Sequence, residues 1–376
     1  MRALFISGEI GGNVPPTLAI AAELARRGHA VTIAGLRPRA ALPSGIVQVP
    51  LSALAGMDVR RKAGPLGHVP ALARMGMGRA PAREVRRLLD EQNPDAVVVD
   101  GVMLTSLREA LRESPRGGIP TAVLFHTLGE FWSRGMGNPV LRVVLGPFGL
   151  APLALLDRAQ ARLLPADREL DPAARGDMRD SKIAFDWLGT TERAQPPAPR
   201  EPGESPLVLV SLSSAWQRGQ ADLYRRVIRA LASLPVRAIV TTGGVELDAE
   251  LTLTPTPRVE VRGWASHAEI MPHADLVIGH GGHSTTLNSL AHGVPLRILP
   301  LDPTSDQPLL GRTVQDAGLG RTIRRSASAD EIAAAVLGIL TEPATAAAAA
   351  RTGERLRAQD GASAGADVIE RIAATP

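Results

Sequence analysis

The 376-residue sequence contains no cysteine. That excludes disulfides, thiolate metal ligands and a cysteine nucleophile, but names no compartment. Lysine is nearly as scarce: Lys62 and Lys182 are the only two, so arginine carries the basic charge. Aromatic residues make up only 3%, and no block of like charge accompanies the formal net charge of +4. A nucleic-acid partner is therefore not expected. An uninterrupted apolar run is missing too. The most apolar window, PVLRVVLGPFGLAPLALL, is broken by Arg142, Gly146, Pro147, Gly149 and Pro152, whereas a transmembrane segment needs about 20 mostly apolar residues. It reads as a buried or pocket-lining stretch. Met1 leads straight into ALFIS without a signal-peptide pattern, so a cytoplasmic protein is expected.

What is present is alternation. ALFIS reads as a buried strand, PTLAIAAELARR as a helix with apolar residues at helical spacing, and AVTIA as the next strand. DAVVVDG, SLREALRE and TAVLFH continue the pattern. Strands separated by such helices argue for βαβ units and parallel sheets. Residues 191–206 are dense in Pro, Gly and charge and read as a linker. The alternation then restarts at PLVLVSLSS. The expected organisation is an α/β chain. An N-terminal domain spans 1–190 and a C-terminal domain 207–376, with the last helix able to cross back to the N-terminal domain. Ligands in such sheets bind beyond the carboxyl ends of strands, so a cleft shared by the two domains is expected. The Ala-rich end is read as helix on propensity alone.

The first strand ends in SGEIGG, where Gly8, Gly11 and Gly12 do not have G-x-G-x-x-G spacing. The second strand ends in TIAGLRPRA, without the carboxylate a dinucleotide ribose requires. A nicotinamide or flavin enzyme is disfavoured. Residues 264–307 say more. DLVIG reads as a strand, HGGHS as a glycine-rich turn, and TTLNSLAH as a helix with Ser284 or Thr285 as N-cap and Gly293 just past its end. A strand, a glycine turn and a helix N-terminus form a diphosphate cradle flanked by His280 and His283. An ordinary βα turn with satisfied histidines fits the turn alone equally well.

This segment resembles the nucleotide-sugar signature of the GT-B glycosyltransferases of family 1, which glycosylate antibiotics, macrolides and plant metabolites. The resemblance rests on W-x-x-H from Trp264, H-G-G-H-S-T-T from His280, G-V-P from Gly293 and the terminal Asp306-Gln307. It extends over nearly the whole chain. It implies two Rossmann-like domains facing each other across a cleft, with the acceptor in the first and the nucleotide sugar in the second. By this resemblance Trp264 stacks on the nucleobase and His280 bonds a donor phosphate. Ser284 and Thr285 bind phosphate at the helix N-terminus with Gly282 and His283 beside them, Ser213 and Ser214 face the diphosphate, and Asp306 and Gln307 hold sugar hydroxyls. Two departures stand out. Asn288 occupies the helix position where many members carry a ribose-binding Glu, and PLDPTSDQ is two residues longer than usual, so Asp302 competes with Asp306.

The implied reaction is an inverting transfer from a UDP- or dTDP-sugar, without cofactor or metal. Asp100 and Glu91 are too far apart in pattern to suggest a metal site. In the family the general base is a His or Asp in the first-domain loop. Here G-N-V-P-P puts Asn13 there, and an amide cannot take up a proton. Three accounts remain. Another group is the base: His126 or Asp100 at strand ends, or Glu9 in the same loop. Alternatively the acceptor is an amine, aromatic carbon or acidic phenol that needs little base. Or the chain is a non-catalytic donor-binding auxiliary. For His126 a satisfied strand-end histidine is the bland alternative, and for Asp100 a helix cap. Residues 56–81 and 126–156 are rich in Gly, Met, Leu and Val and suit a roomy apolar acceptor pocket or ordinary core helices. Phe131, Trp132 and Met136 are the candidate acceptor contacts. A lipid or cell-wall glycosyltransferase is a further alternative, while a sugar-nucleotide epimerase lacks the expected paired carboxylates. Monomer and homodimer stay open.

Overall fold

The computed structural model describes residues 1–38, 42–64, 66–112, 118–175, 183–191, 193–201, 203–247 and 257–375. The chain divides into two units that are not contiguous in sequence. Unit 1 comprises Met1–Asp58, His68–Glu192 and Asp360–Pro376, and unit 2 comprises Val59–Gly67 and Arg193–Gln359.

The strands of unit 1 are β1 (Arg2–Ile6), β2 (Ala30–Ala34), β3 (Ile46–Val49), β4 (Ala96–Asp100), β5 (Thr121–Leu124), β6 (Ala161–Leu164) and β7 (Asp186–Trp187). They pair in parallel in the order β3-β2-β1-β4-β5-β6-β7. The runs ALFI and AVVVD are buried throughout, as a parallel sheet covered on both faces requires. The order reverses between β1 and β4, whose carboxyl ends form the switch point where open α/β sheets bind ligands. The helix Gly361–Ala373 closes this unit against the helix Val14–Arg26. A Cβ on Gly365 would lie 2.9 Å from Ile20, and Arg27 pairs with Asp367 at 2.6 Å and Glu370 at 2.8 Å.

Unit 2 repeats the plan with β8 (Leu207–Ser211), β9 (Arg237–Thr241), β10 (Val259–Arg262), β11 (Leu276–Gly279), β12 (Leu296–Ile298) and β13 (Gly320–Thr322). The order is β10-β9-β8-β11-β12-β13, all parallel, with the switch point between β8 and β11. The buried Tyr224 hydroxyl accepts from the Leu212 N–H and donates to the Thr241 carbonyl at 2.8 Å, tying the ends of β8 and β9. Burial pushes this phenol above the ordinary tyrosine range. The proline-rich segment is bonded to the same unit. Ala198 N–H donates to the Pro272 carbonyl at 2.7 Å, and Arg200 pairs with Asp275 at 2.8 Å. The Val59–Gly67 excursion joins it as well, with its Val59 carbonyl accepting from Trp216 N–H at 2.7 Å.

Part of one expectation is overturned. Of residues 139–156, read as buried or pocket-lining, Leu150, Pro152, Leu155 and Leu156 are buried, whereas 139–148 form the helix Pro139–Leu145 and the turn Gly146–Phe148 on the surface of unit 1 rather than in its core. Val140, Val143 and Phe148 are each more than 60% exposed. Apolar composition alone does not distinguish a core helix from a presented one.

Candidate functional site

At the switch point of unit 1, Asn13 occupies the N-cap position of the helix Val14–Arg26 but makes no capping hydrogen bond. The residues such a side chain would cap include Pro15 and Pro16, which have no N–H. The amide turns instead to the strand ends. Its Nδ2 donates to the Gly8 carbonyl at 2.6 Å and to Asp100 Oδ2 at 2.7 Å, with Ser7 Oγ at 3.1 Å, while Oδ1 accepts from Ile10 N–H at 3.2 Å. Asn13 and Asp100 are 2% and 3% exposed. Asp100 also accepts from Ser7 Oγ at 3.2 Å and from Val102 N–H at 3.1 Å. It is not the N-cap of the next helix, Leu104–Ala110, which is capped at Met103. Ser7, unflagged by sequence reading, belongs to this cluster. Its place directly after β1 was the available signal.

Of the other base candidates, Glu9 is bound by the Arg37 guanidinium and its backbone N–H, and Arg37 also pairs with Asp58 at 3.0 Å. His126 follows β5 next to Asp100, since Leu124 and Asp100 are partners in register. Its half-buried ring makes no hydrogen bond among the described residues, and Nδ1 is wholly enclosed. Trp132 Nε1 donates to the His126 carbonyl and stacks edge-on against its ring, centroids 5.2 Å apart. Trp132 and Met136 are buried, and Phe131, half-buried, packs edge-on against Trp132. Of these three residues, Trp132 packs directly against His126.

In unit 2, His280 directly follows β11 and faces the end of β8. Burial, opposed by a hydrogen bond with the Ser211 backbone, pushes its imidazole down to about 4, so it is neutral at pH 7. The turn that follows is forced to be glycine. Gly281 has φ +88°, and a Cβ there would lie 2.9 Å from the Gln307 carbonyl. A Cβ on Gly282 would lie 2.5 Å from the His280 ring. The helix His283–Ala291 starts two or three residues earlier than the sequence pattern suggested, because Gly282 rather than Ser284 or Thr285 is its N-cap. Ser284 and Thr285 thus sit in the first turn, where helix N–H groups lack intrahelical partners. Asn288 is buried one turn further on. Gly293, φ +77°, ends the helix as expected, and Val294 N–H reaches back to the Ser289 carbonyl at 3.0 Å.

Around this cradle, Ser213 is buried and its hydroxyl accepts from Ala215 N–H at 3.0 Å, whereas Ser214 is exposed. Trp264 is 76% exposed, unusual for so large a ring. Its motif partner His267 lies 3.1 Å from Thr241 Oγ1. Gln307 is buried. Its amide oxygen accepts from Leu301 N–H at 2.7 Å and Asp302 N–H at 3.0 Å, and its Nε2 donates to Gln217 at 3.1 Å. One Nε2 hydrogen remains, so this amide chiefly shapes the turn. Asp302 holds Thr304 by its N–H and hydroxyl, and Asp306 is the N-cap residue of the helix Gln307–Asp316. Arg325, missed from sequence, donates to the Leu301 carbonyl at 2.9 Å and the Arg218 carbonyl at 2.6 Å. An isolated arginine after a strand gives no pattern to find it by.

Residues 236–364 match the glycosyltransferase family 28 C-terminal domain, and residues 11–158 match glycosyltransferase family 4. The chain is 28% identical over 168 residues to a demethyllactenocin mycarosyltransferase of Streptomyces fradiae, covering 44% of the chain and 36% of the relative. It is 28% identical over 321 residues to the 4'-demethylrebeccamycin synthase of Lentzea aerocolonigenes, covering 82% and 64%. The chain thus spans less than two thirds of both these relatives. A UDP-N-acetylglucosamine–N-acetylmuramyl-(pentapeptide) pyrophosphoryl-undecaprenol N-acetylglucosamine transferase of Clavibacter michiganensis is 27% identical over 384 residues, covering 99% and 97%. Among solved structures, the glycotransferase of kitacinnamycin superposes with a TM-score of 0.77 at 24% identity, covering 99% of this chain and 98% of that one. That likeness identifies the fold.

Proposed function

We propose that this chain, which is similar to GT-B-type glycosyltransferases including those of antibiotic biosynthesis, transfers a sugar from a UDP- or dTDP-sugar to a hydroxyl of a hydrophobic small molecule with inversion. The observation that carries this reading is the cradle at the end of β11. A glycine-forced turn, a helix N-terminus and a neutral buried imidazole converge there, with an exposed indole on the same unit. Peptide N–H groups and the helix dipole suit a diphosphate, and Trp264 suits a planar base. Asp302 and Asp306 are the carboxylates assigned here to sugar hydroxyls.

In the reaction the acceptor oxygen attacks the anomeric carbon. The bond to the diphosphate breaks, and its electron pair leaves on the phosphate oxygen, where the cradle donors stabilise the charge. The acceptor proton goes to His126. Glu9 is engaged by Arg37 and Asp100 by three donors, whereas the His126 ring is unengaged among the described residues. Asn13 holds Asp100 and shapes the loop. No metal is required in this reading, and turnover should persist in EDTA.

A second reading, a lipid-linked acceptor, is favoured by one observation: the exposed apolar face of residues 139–148. No single helix among the described residues is long and apolar enough to cross a membrane.

Release of free nucleoside diphosphate from a panel of UDP- and dTDP-sugars tests both readings. Hydrophobic alcohols are supplied in solution and polyprenyl acceptors in vesicles. Release with soluble alcohols supports the first reading, and release only with polyprenyl acceptors supports the second. Donor binding without release under any acceptor would leave a donor-binding auxiliary protein.

A further inference from the structure

Thr127 has φ +69°, a left-handed backbone that crowds a β-branched side chain. It is 1% exposed, and its hydroxyl meets no partner among the described residues. Strain and an unmet buried hydroxyl are two costs at one residue, and neither supports the fold. Both flanks are pinned. On one side Phe125 N–H donates to the Leu163 carbonyl at 2.9 Å, and the His126 carbonyl accepts from the Trp132 indole. On the other, the fully buried Asp171 accepts from Gly129 N–H at 2.5 Å and Glu130 N–H at 3.2 Å. It also accepts from Trp187 Nε1 at 3.2 Å. Between these anchors, Thr127 makes the turn that directs the preceding imidazole. Glycine would make it without strain but would leave His126 on a freer backbone.

We propose that Thr127 is a positioning residue for His126: the enclosure of its side chain between the pinned flanks, against the preference of a branched residue, holds the left-handed turn and with it the imidazole. The inference rests on the reading of His126 as the proton acceptor. The hydroxyl does not take part. The shape of the side chain does.

Steady-state transfer to an alcohol acceptor, with donor KM, pH–rate profile and melting temperature, tests this in the full chain. Thr127→Gly is expected to lower kcat about 10-fold or more while donor KM stays within about twofold. The acid limb of the pH profile should remain at the same pH. Thr127→Val, which keeps the shape and removes the unmet hydroxyl, is expected to keep kcat within about threefold and to melt no lower than the parent. Wild-type kcat for Thr127→Gly overturns the proposal, as does a Thr127→Val loss as large as that of Thr127→Gly. Should the glycine variant fail to fold, Thr127→Asn tolerates the left-handed backbone without the branch and is read by the same criteria. His126→Ala separates the two claims. Intact alcohol transfer in that variant sinks the base reading. Loss of transfer there with an unaffected Thr127→Gly sinks only the positioning role.

Discussion

Asn13 Nδ2 lies 2.7 Å from Asp100 Oδ2, so the amide in the loop after β1 is the hydrogen-bond donor to a buried carboxylate. An amide can hold this geometry but cannot pass on a proton. The relationship makes the residue sensitive to charge in a way that is open to measurement.

Asn13→Asp would bring a second carboxylate against Asp100 in a site almost closed to water. Two carboxylates so close do not ionise together. The variant should lose about 2–4 kcal/mol of stability at pH 7 and regain part of it at pH 4–5 as the pair takes up a proton. Urea unfolding at the two pH values measures this. Equal losses at both would mean that the pair does not share a dry site.

If His126 is the proton acceptor, His126→Ala should cut kcat for alcohols by about 10²–10⁴-fold with donor affinity unchanged. Asn13→Ala should have the milder effect on kcat. A larger kcat effect from Asn13→Ala would return the chemistry to the Asn13–Asp100 pair.

His280 titrates at about 4 in the folded chain because burial disfavours its charged form, against 6.5 for the exposed group. Between those values the unfolded chain binds a proton that the folded chain does not. The stability linked to this residue is whole above pH 6.5 and declines as pH falls toward 4. The melting temperature of the parent should therefore fall more steeply over this window than that of His280→Gln. Parallel curves would count against a neutral buried imidazole.

Gly282→Ala keeps an allowed backbone, φ −70°, but its Cβ would sit 2.5 Å from the His280 ring. The ring must shift. Donor affinity measured by calorimetry should fall about tenfold, with a stability loss of about 1–3 kcal/mol from overpacking. Wild-type affinity would place the diphosphate away from this turn.

Much of this architecture was legible in the sequence because it depends on short-range pattern. AVTIA is β2 without a residue's shift, and DLVIG gives β11 and the glycine turn. Runs of apolar residues bounded by Gly and His leave a buried parallel strand few alternatives. Helix starts were less legible: Gly282 displaced Ser284 and Thr285 as cap because the tight glycine turn already supplies the extended backbone a cap needs. Residues 139–148 are not buried as one reading had them, since apolar composition carries no information about which side of a helix is covered.

The sequence by itself determined two doubly wound α/β units, a glycine turn that opens a helix, and an amide rather than a titrating group in the loop after the first strand. Those follow from periodicity, steric demand and side-chain chemistry, which act over a few residues. Only the tertiary structure decided that Asn13 serves Asp100, that Arg37 occupies Glu9, and that the His126 ring, next to a strained Thr127, makes no hydrogen bond among the described residues. Each depends on strands and turns distant in sequence meeting at a sheet edge, and no local pattern encodes which partner a polar group will find there.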